Sequence, residues 1–190
     1  MTDDPGEDVA TAVVAEERAA EVALYALFRA LSIAWTHYDH PPMRTVADSV
    51  ALRGSQPGAH VKNMFLKEKK GGLWLVTCLE DREIRIRDLE KAIGAKGSSF
   101  GKPDLLFETL GVRPGAVTPF ALMAPGAGAV RFVLDQAIDA HDVMNAHPMH
   151  NRATTAIAVA DFARFLDHLG REALRVDFDA LEALARERSA

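Results

Sequence analysis

The chain has a single cysteine, Cys78, among its 190 residues, so no disulfide can form within it and no cysteine pair is available to hold a metal. Cys78 lies in the apolar segment Leu75-Val76-Thr77-Cys78-Leu79, where a small buried thiol is the simplest reading. No stretch approaches the roughly 20 apolar residues of a membrane span. The acidic opening Met1-Thr2-Asp3-Asp4 lacks the basic start of a signal peptide. The expectation is a cytoplasmic protein with no membrane partner. Also missing are the Gly-x-Ser-x-Gly elbow of serine hydrolases, the phosphate-cradling P-loop, the dinucleotide fingerprint and a helical His-Glu-x-x-His pair. His37, His40, His141, His147 and His150 do not replace that pair, because the His37/His40 and His147/His150 spacings run into prolines that break a helical frame. This reading assigns no metal and no cofactor.

What is present suits one substantial core: 48% of the residues are hydrophobic, and this length favours one domain. The formal net charge of −5 is unevenly spread. Residues 1–22 hold seven acids against Arg18 alone, whereas residues 53–102 hold eleven bases against six acids. The locally basic middle is compatible with a phosphate-bearing ligand.

Residues 1–18, with Pro5, Gly6 and most of those acids, read as a flexible acidic extension, and residues 19–190 as the single domain. Helical spacing of Val22, Leu24, Leu27, Phe28 and Leu31 predicts a first helix over Ala19–Ala34. Alternation predicts a strand at Trp35–Tyr38, and apolar runs predict strands at Val61–Lys67 and Leu73–Leu79, these two a hairpin closed at Gly71-Gly72. Thr45 is placed to cap a short helix reaching Leu52. Further helices are expected at Arg87–Gly94 and Pro103–Gly111, with Gly97–Gly101 a loop between them. Strands at Ala129–Leu134, Asp142–Ala146 and Thr154–Val159, a helix at Asp161–Leu169, a strand at Leu174–Phe178 and a helix from Asp179 complete the pattern. The elements interleave without regular βαβ spacing. An α/β (α+β) fold follows, with a mixed sheet or partly closed barrel surrounded by helices.

Three segments carry polar groups suited to chemistry. Lys62 and Asn63 stand at the head of an apolar strand, where an ammonium against apolar walls is poorly screened and interacts strongly with an anion or carbonyl. Gly115-Ala116-Val117-Thr118-Pro119 combines glycine freedom with proline restriction, so the free N–H groups of Ala116, Val117 and Thr118 could converge on an oxyanion; an ordinary tight connection is the alternative. His147-Pro148-Met149-His150-Asn151 follows a predicted strand, at a strand end where sites often form.

Lys62–Lys67, Leu73–Val76, Ser99-Phe100-Gly101, Gly115–Pro119 and His147-Pro148-Met149, taken in order, resemble the YbaK/ProX family, and more narrowly its freestanding prolyl-tRNA editing proteins. The resemblance runs from about His40 to Phe178. It implies a single-domain fold that hydrolyses mischarged aminoacyl-tRNA in trans, with tRNA(Pro) as partner and an association with prolyl-tRNA synthetase. By resemblance Lys62 is the required lysine, Asn63 its partner, Gly115 and Pro119 bracket the Gly-x-x-x-Pro loop, and His147 is the histidine of the late motif. Such an ester is already activated, so water must be positioned and the oxyanion stabilised with no covalent nucleophile. The expected substrate is Ala-tRNA(Pro), with Cys, Ser or Thr esters, or a catalytically silent binding module, as alternatives. Met43, Thr45, Val46 and Ala47 are the expected pocket residues, and Lys67, Lys69, Lys70, Arg85 and Arg87 the expected tRNA-binding face.

Overall fold

A computed structural model describes residues 5–42 and 56–188. Among the described residues five α-helices, α1 (Pro5–Ala30), α2 (Ile86–Ile93), α3 (Pro103–Leu110), α4 (Val159–His168) and α5 (Phe178–Glu187), surround eight strands. These are β1 (Trp35–Asp39), β2 (Ala59–Glu68), β3 (Leu73–Leu79), β4 (Ser98–Phe100), β5 (Val130–Asp135), β6 (Val143–Ala146), β7 (Ala153–Ala158) and β8 (Ala173–Val176). They form one mixed sheet in the order β1-β7-β6-β2-β3-β5-β8, with β4 attached to β2. The expected mixed α/β architecture is therefore present.

Each face of the sheet buries its own apolar set. Leu24 and Phe28, one helical turn apart on α1, pack with Phe65, Leu75, Phe120, Phe132, Phe162 and Phe165. Phe28, Phe120 and Phe165 meet edge to face at 5.3–5.9 Å between ring centroids, an arrangement that satisfies the ring quadrupoles as well as burying area. On the opposite face Leu66, Trp74, Val76 and Cys78 pack under Leu89 and Ile93 of α2 and Phe178 at the start of α5. Adjacent strand residues alternate between these clusters.

Two sequence expectations need correction. Helix α1 begins at Pro5, not Ala19, because the Ala- and Glu-rich stretch read as an extension has high helix propensity. Ion pairs also tie that stretch down: Glu16 pairs with Arg113 at 2.8 Å and Glu17 with Arg152. Residues 98–100, read as part of a loop, form β4, paired antiparallel with Leu66–Glu68. Gly101 closes that pairing by donating its N–H to the Phe65 carbonyl at 2.9 Å. A Cβ at Gly101 would lie 2.4 Å from the Phe65 ring, so glycine is what allows the approach.

Candidate active site at the open edge of strand β2

Strand β2 pairs along one edge with β3, from Val61 to Lys67. Its other edge is shared by β6, parallel at Ala59 and His60, and β4, antiparallel from Leu66. Among the described residues no strand covers that edge at Lys62–Met64. On the β3 side the Glu80 N–H donates to the His60 carbonyl at 2.9 Å, so alternation turns the peptide groups of odd-numbered β2 residues to the other side. The N–H and C=O of Asn63 thus point into the opening.

Alternation also separates Lys62 from Asn63. Lys62 stands opposite Cys78, on the face of Leu66, Trp74 and Val76, and its ammonium donates to the Arg82 carbonyl. That carbonyl is held in place by a charged network. Arg82 donates through Nε to Asp135 Oδ2 at 2.8 Å and also pairs with Asp179. Asp135 is fully buried and accepts from the Leu79 and Ala137 amides at 3.3 and 3.0 Å. Burial pushes the Cys78 thiol up to about 12, so the sulfur stays protonated and inert.

Asn63 stands opposite Thr77 and accepts a 2.6 Å hydrogen bond from its hydroxyl. This is the face of Phe65 and Leu75, against which Val117, Phe120, Ala146 and Met149 pack. Gly115, at φ +89°, lies so close to the late turn that a Cβ would be 3.2 Å from Asn151 Nδ2. The structure therefore brings the Gly115–Pro119 loop against the His147–Asn151 turn. The loop differs from the expectation in one donor: the Ala116 N–H is engaged by the Arg113 carbonyl at 3.0 Å, because residues 113–116 close a tight turn. Thr118 is buried and caps the following 3-10 turn, its Oγ1 accepting from the Phe120 N–H at 3.4 Å.

His147 donates from Nδ1 to the Ala153 carbonyl at 3.2 Å, which leaves Nε2 as the lone-pair nitrogen. Burial, reinforced by the nearby His40 and His150, holds its pKa below the usual histidine value against the opposing effect of that carbonyl, so the ring is neutral near pH 7. Met149 bends the turn at φ +73°, a strain of about 1 kcal/mol, and its buried side chain anchors the bend in the core. Behind the turn, a carboxylate oxygen of Glu21 sits 3.4 Å from both His37 Nδ1 and His150 Nε2. The Tyr25 hydroxyl joins His37 to Thr155 at 2.7 and 2.6 Å. Among the described residues no group of three or more acidic, histidine or cysteine side chains is placed to hold a metal.

The expected basic face divides. Lys67, Lys69 and Lys70 lie exposed at the hairpin turn, whereas Arg85 and Arg87 follow Glu80–Arg82 at the other end of the hairpin, where α2 starts. Met43, Thr45, Val46 and Ala47 lie outside the described residues. Thr77, Arg82 and Asp135 were not singled out from sequence, and the strand alternation that pairs Thr77 with Asn63 is the only local signal that could have found one of them, whereas Asn151 belongs to the late segment already named.

The sequence profile of the aminoacyl-tRNA editing domain matches residues 40–165, and the chain belongs to that family. It is 38% identical over 162 residues to prolyl-tRNA synthetase associated domain-containing protein 1 of Bos taurus, covering 83% of this chain and 94% of the relative. It is 28% identical over 148 residues to prolyl-tRNA editing protein ProX of Acetoanaerobium sticklandii, covering 77% and 90%. A solved candidate trans-editing enzyme for prolyl tRNA synthetase superposes with a TM-score of 0.62 at 15% identity, over 83% of this chain and 96% of that one, a likeness of fold. Among the described residues no helix is long and apolar enough to cross a membrane.

Proposed function

We propose that the chain is a deacylase that cleaves misacylated Ala-tRNA(Pro) into alanine and free tRNA(Pro), with prolyl-tRNA synthetase as the enzyme whose errors it clears. Membership of the editing family supports the reaction class. The observation that carries the reading is the approach of Gly115 to Asn151, which seats the Gly-x-x-x-Pro loop against the turn that holds a neutral His147 beside the open edge of β2.

In this reading the opening joins the two faces of the sheet. Lys62, held by the Arg82 carbonyl, meets the terminal phosphate or ribose on one face. The ester carbonyl enters the other face, where the amides of Val117 and Thr118 receive the developing oxyanion. His147 Nε2 accepts a proton from the attacking water. The carbon–oxygen bond to the ribose then breaks, and the ribose oxygen takes up a proton as the alkoxide leaves. Asn63, braced by Thr77, offers its peptide N–H and C=O to the amino-acid moiety. A pocket sized for alanine excludes the proline ring by bulk, a discrimination that a synthetase built to hold proline cannot make against a smaller residue. Met43, Thr45, Val46 and Ala47 are its proposed lining.

The test is release of free alanine from Ala-tRNA(Pro), with Pro-tRNA(Pro) and Cys-tRNA(Pro) in parallel and Lys62→Ala as control. Many turnovers on the alanyl ester alone are expected. Cleavage of only another ester would move the substrate and keep the reaction. Protection of the ester from spontaneous hydrolysis, with no turnover, would replace the deacylase by a binding module.

A further inference from the structure

Phe100 is 65% exposed, the most open large apolar side chain among the described residues, and nothing in the chemistry above uses it. Its exposure is built in. Strand β4 is fixed in register, with Phe100 opposite Leu66, and Gly101 is wedged against the Phe65 ring, so Phe100 cannot turn inward without breaking the pairing. Cross-strand partners share a face, which puts Phe100 on the face of Lys62 and Leu66. Leu66 lies four residue steps beyond Lys62, about 13 Å along β2.

The surroundings are basic. Lys67 stands opposite Ser99, on the other face of this sheet edge from Phe100, and the Lys69 side chain lies 3.2 Å from where a Gly97 Cβ would be. Lys96 and Lys102 are exposed on either side of β4. The nearby acids are mostly engaged: Glu68 accepts from Trp74 and Arg131 at 2.7 and 2.6 Å, and Glu90 accepts from the Ser98 amide. Asp104, in the first turn of α3, is the exposed exception.

An exposed aromatic ring among lysines, beside a cleft, is how single-stranded nucleic acid is held without reading its sequence. We propose that Phe100 is a stacking platform for one unpaired base of the RNA acceptor end, just upstream of the terminal nucleotide held at Lys62, with the lysines around β4 meeting the adjoining phosphates. This rests on the aminoacyl-tRNA reading and adds a contact that selects for an unpaired 3′ end.

The test is equilibrium binding of uncharged tRNA(Pro) transcript, and of an RNA hairpin carrying 2-aminopurine in its unpaired 3′ end, to the full chain. Phe100→Ala should weaken binding of both by about 5- to 100-fold and abolish the quenching of 2-aminopurine. Phe100→Trp should restore both, and Phe100→Leu, which keeps the apolar surface without the ring face, should not. Unchanged affinity and quenching in Phe100→Ala would overturn the proposal, as would a change confined to oligomeric state, which would make Phe100 a protein contact. The two readings can fail apart. Alanine release by a chain whose RNA binding ignores Phe100 keeps the deacylase and removes the platform, whereas Phe100-dependent RNA binding without turnover on any ester does the reverse.

Discussion

Lys62 and Asn63 are neighbours in sequence, yet the two sides of β2 they occupy are built on different physics. Behind Lys62 lies a network of ion pairs: Arg82 with the fully buried Asp135 and with Asp179, in which the guanidinium holds the Asp179 carboxyl below the usual carboxylate range. Behind Asn63 lie neutral hydrogen bonds, from Thr77 and around a His147 ring that burial keeps uncharged. In the proposed deacylase this division sets a cation for the polyanionic substrate on one side and a neutral base for water on the other. If the division is real, perturbing the first side should alter stability and substrate capture with little pH dependence, and perturbing the second should alter the pH profile.

The largest effect is expected from Asp135→Ala. Removing one partner of a buried ion pair leaves an uncompensated charge and costs about 3–5 kcal/mol. Here the low end is expected, because Asp179 and Glu182 still pair with Arg82. Urea unfolding of the variant measures it, and a loss under 1 kcal/mol would show that the network does not support the Lys62 face. Lys62→Ala comes next. Its ammonium is a single donor to a carbonyl, so the fold should survive, while turnover on a misacylated tRNA falls by about 10²–10³-fold, as for loss of a preorganised electrostatic contact. Near-normal turnover by a folded variant would remove Lys62 from the site.

The other side of the comparison is reached through pH. His147 and His150 both have pKa values held below the ordinary histidine range, chiefly by burial. The unfolded chain therefore binds protons more readily than the native one as pH falls below about 6.5, and stability declines from there toward the lowered native pKa values. Above that range both states are neutral and these groups add no pH dependence. Turnover should fall further into acid, around the lowered native pKa at which Nε2 of His147 takes up a proton in the folded chain. His147→Gln should lower the plateau and erase that acid limb, whereas Lys62→Ala should lower the rate at every pH and leave the limb in place. An acid limb that survives in His147→Gln would assign it to another group.

How much of this division could be read from the sequence follows from how local each signal is. The hairpin was legible because Leu73–Leu79 is a short apolar run and Gly71-Gly72 marks its turn; the observed strand has those same bounds. That Lys62 and Asn63 face apart emerged only with the strand register, and their roles came from resemblance. The Arg82–Asp135 pair joins positions 53 residues apart, and no local pattern announces it. Strand β4 was hidden because a three-residue segment between Gly97 and Gly101 has turn composition, and only its partner β2 makes it a strand. The start of α1 was hidden by its acids, whose partners Arg113 and Arg152 lie 97 and 135 residues on, beside the two segments of the candidate site.

The smallest effect expected sharpens the comparison at its seam. Thr77 is fully buried, and its hydroxyl donates to Asn63 Oδ1 at 2.6 Å. Thr77→Val keeps the β-branched shape and removes the donor, so the strand should hold and the loss in stability should be about 1 kcal/mol. If Asn63 acts as a neutral positioning residue, its loosened side chain should raise KM for the misacylated tRNA more than it lowers kcat, with the pH profile unchanged. A change in the acid limb would mean that the Thr77–Asn63 pair is coupled to His147, and the neutral side would then work as one hydrogen-bonded unit across the opening rather than as two separate contacts.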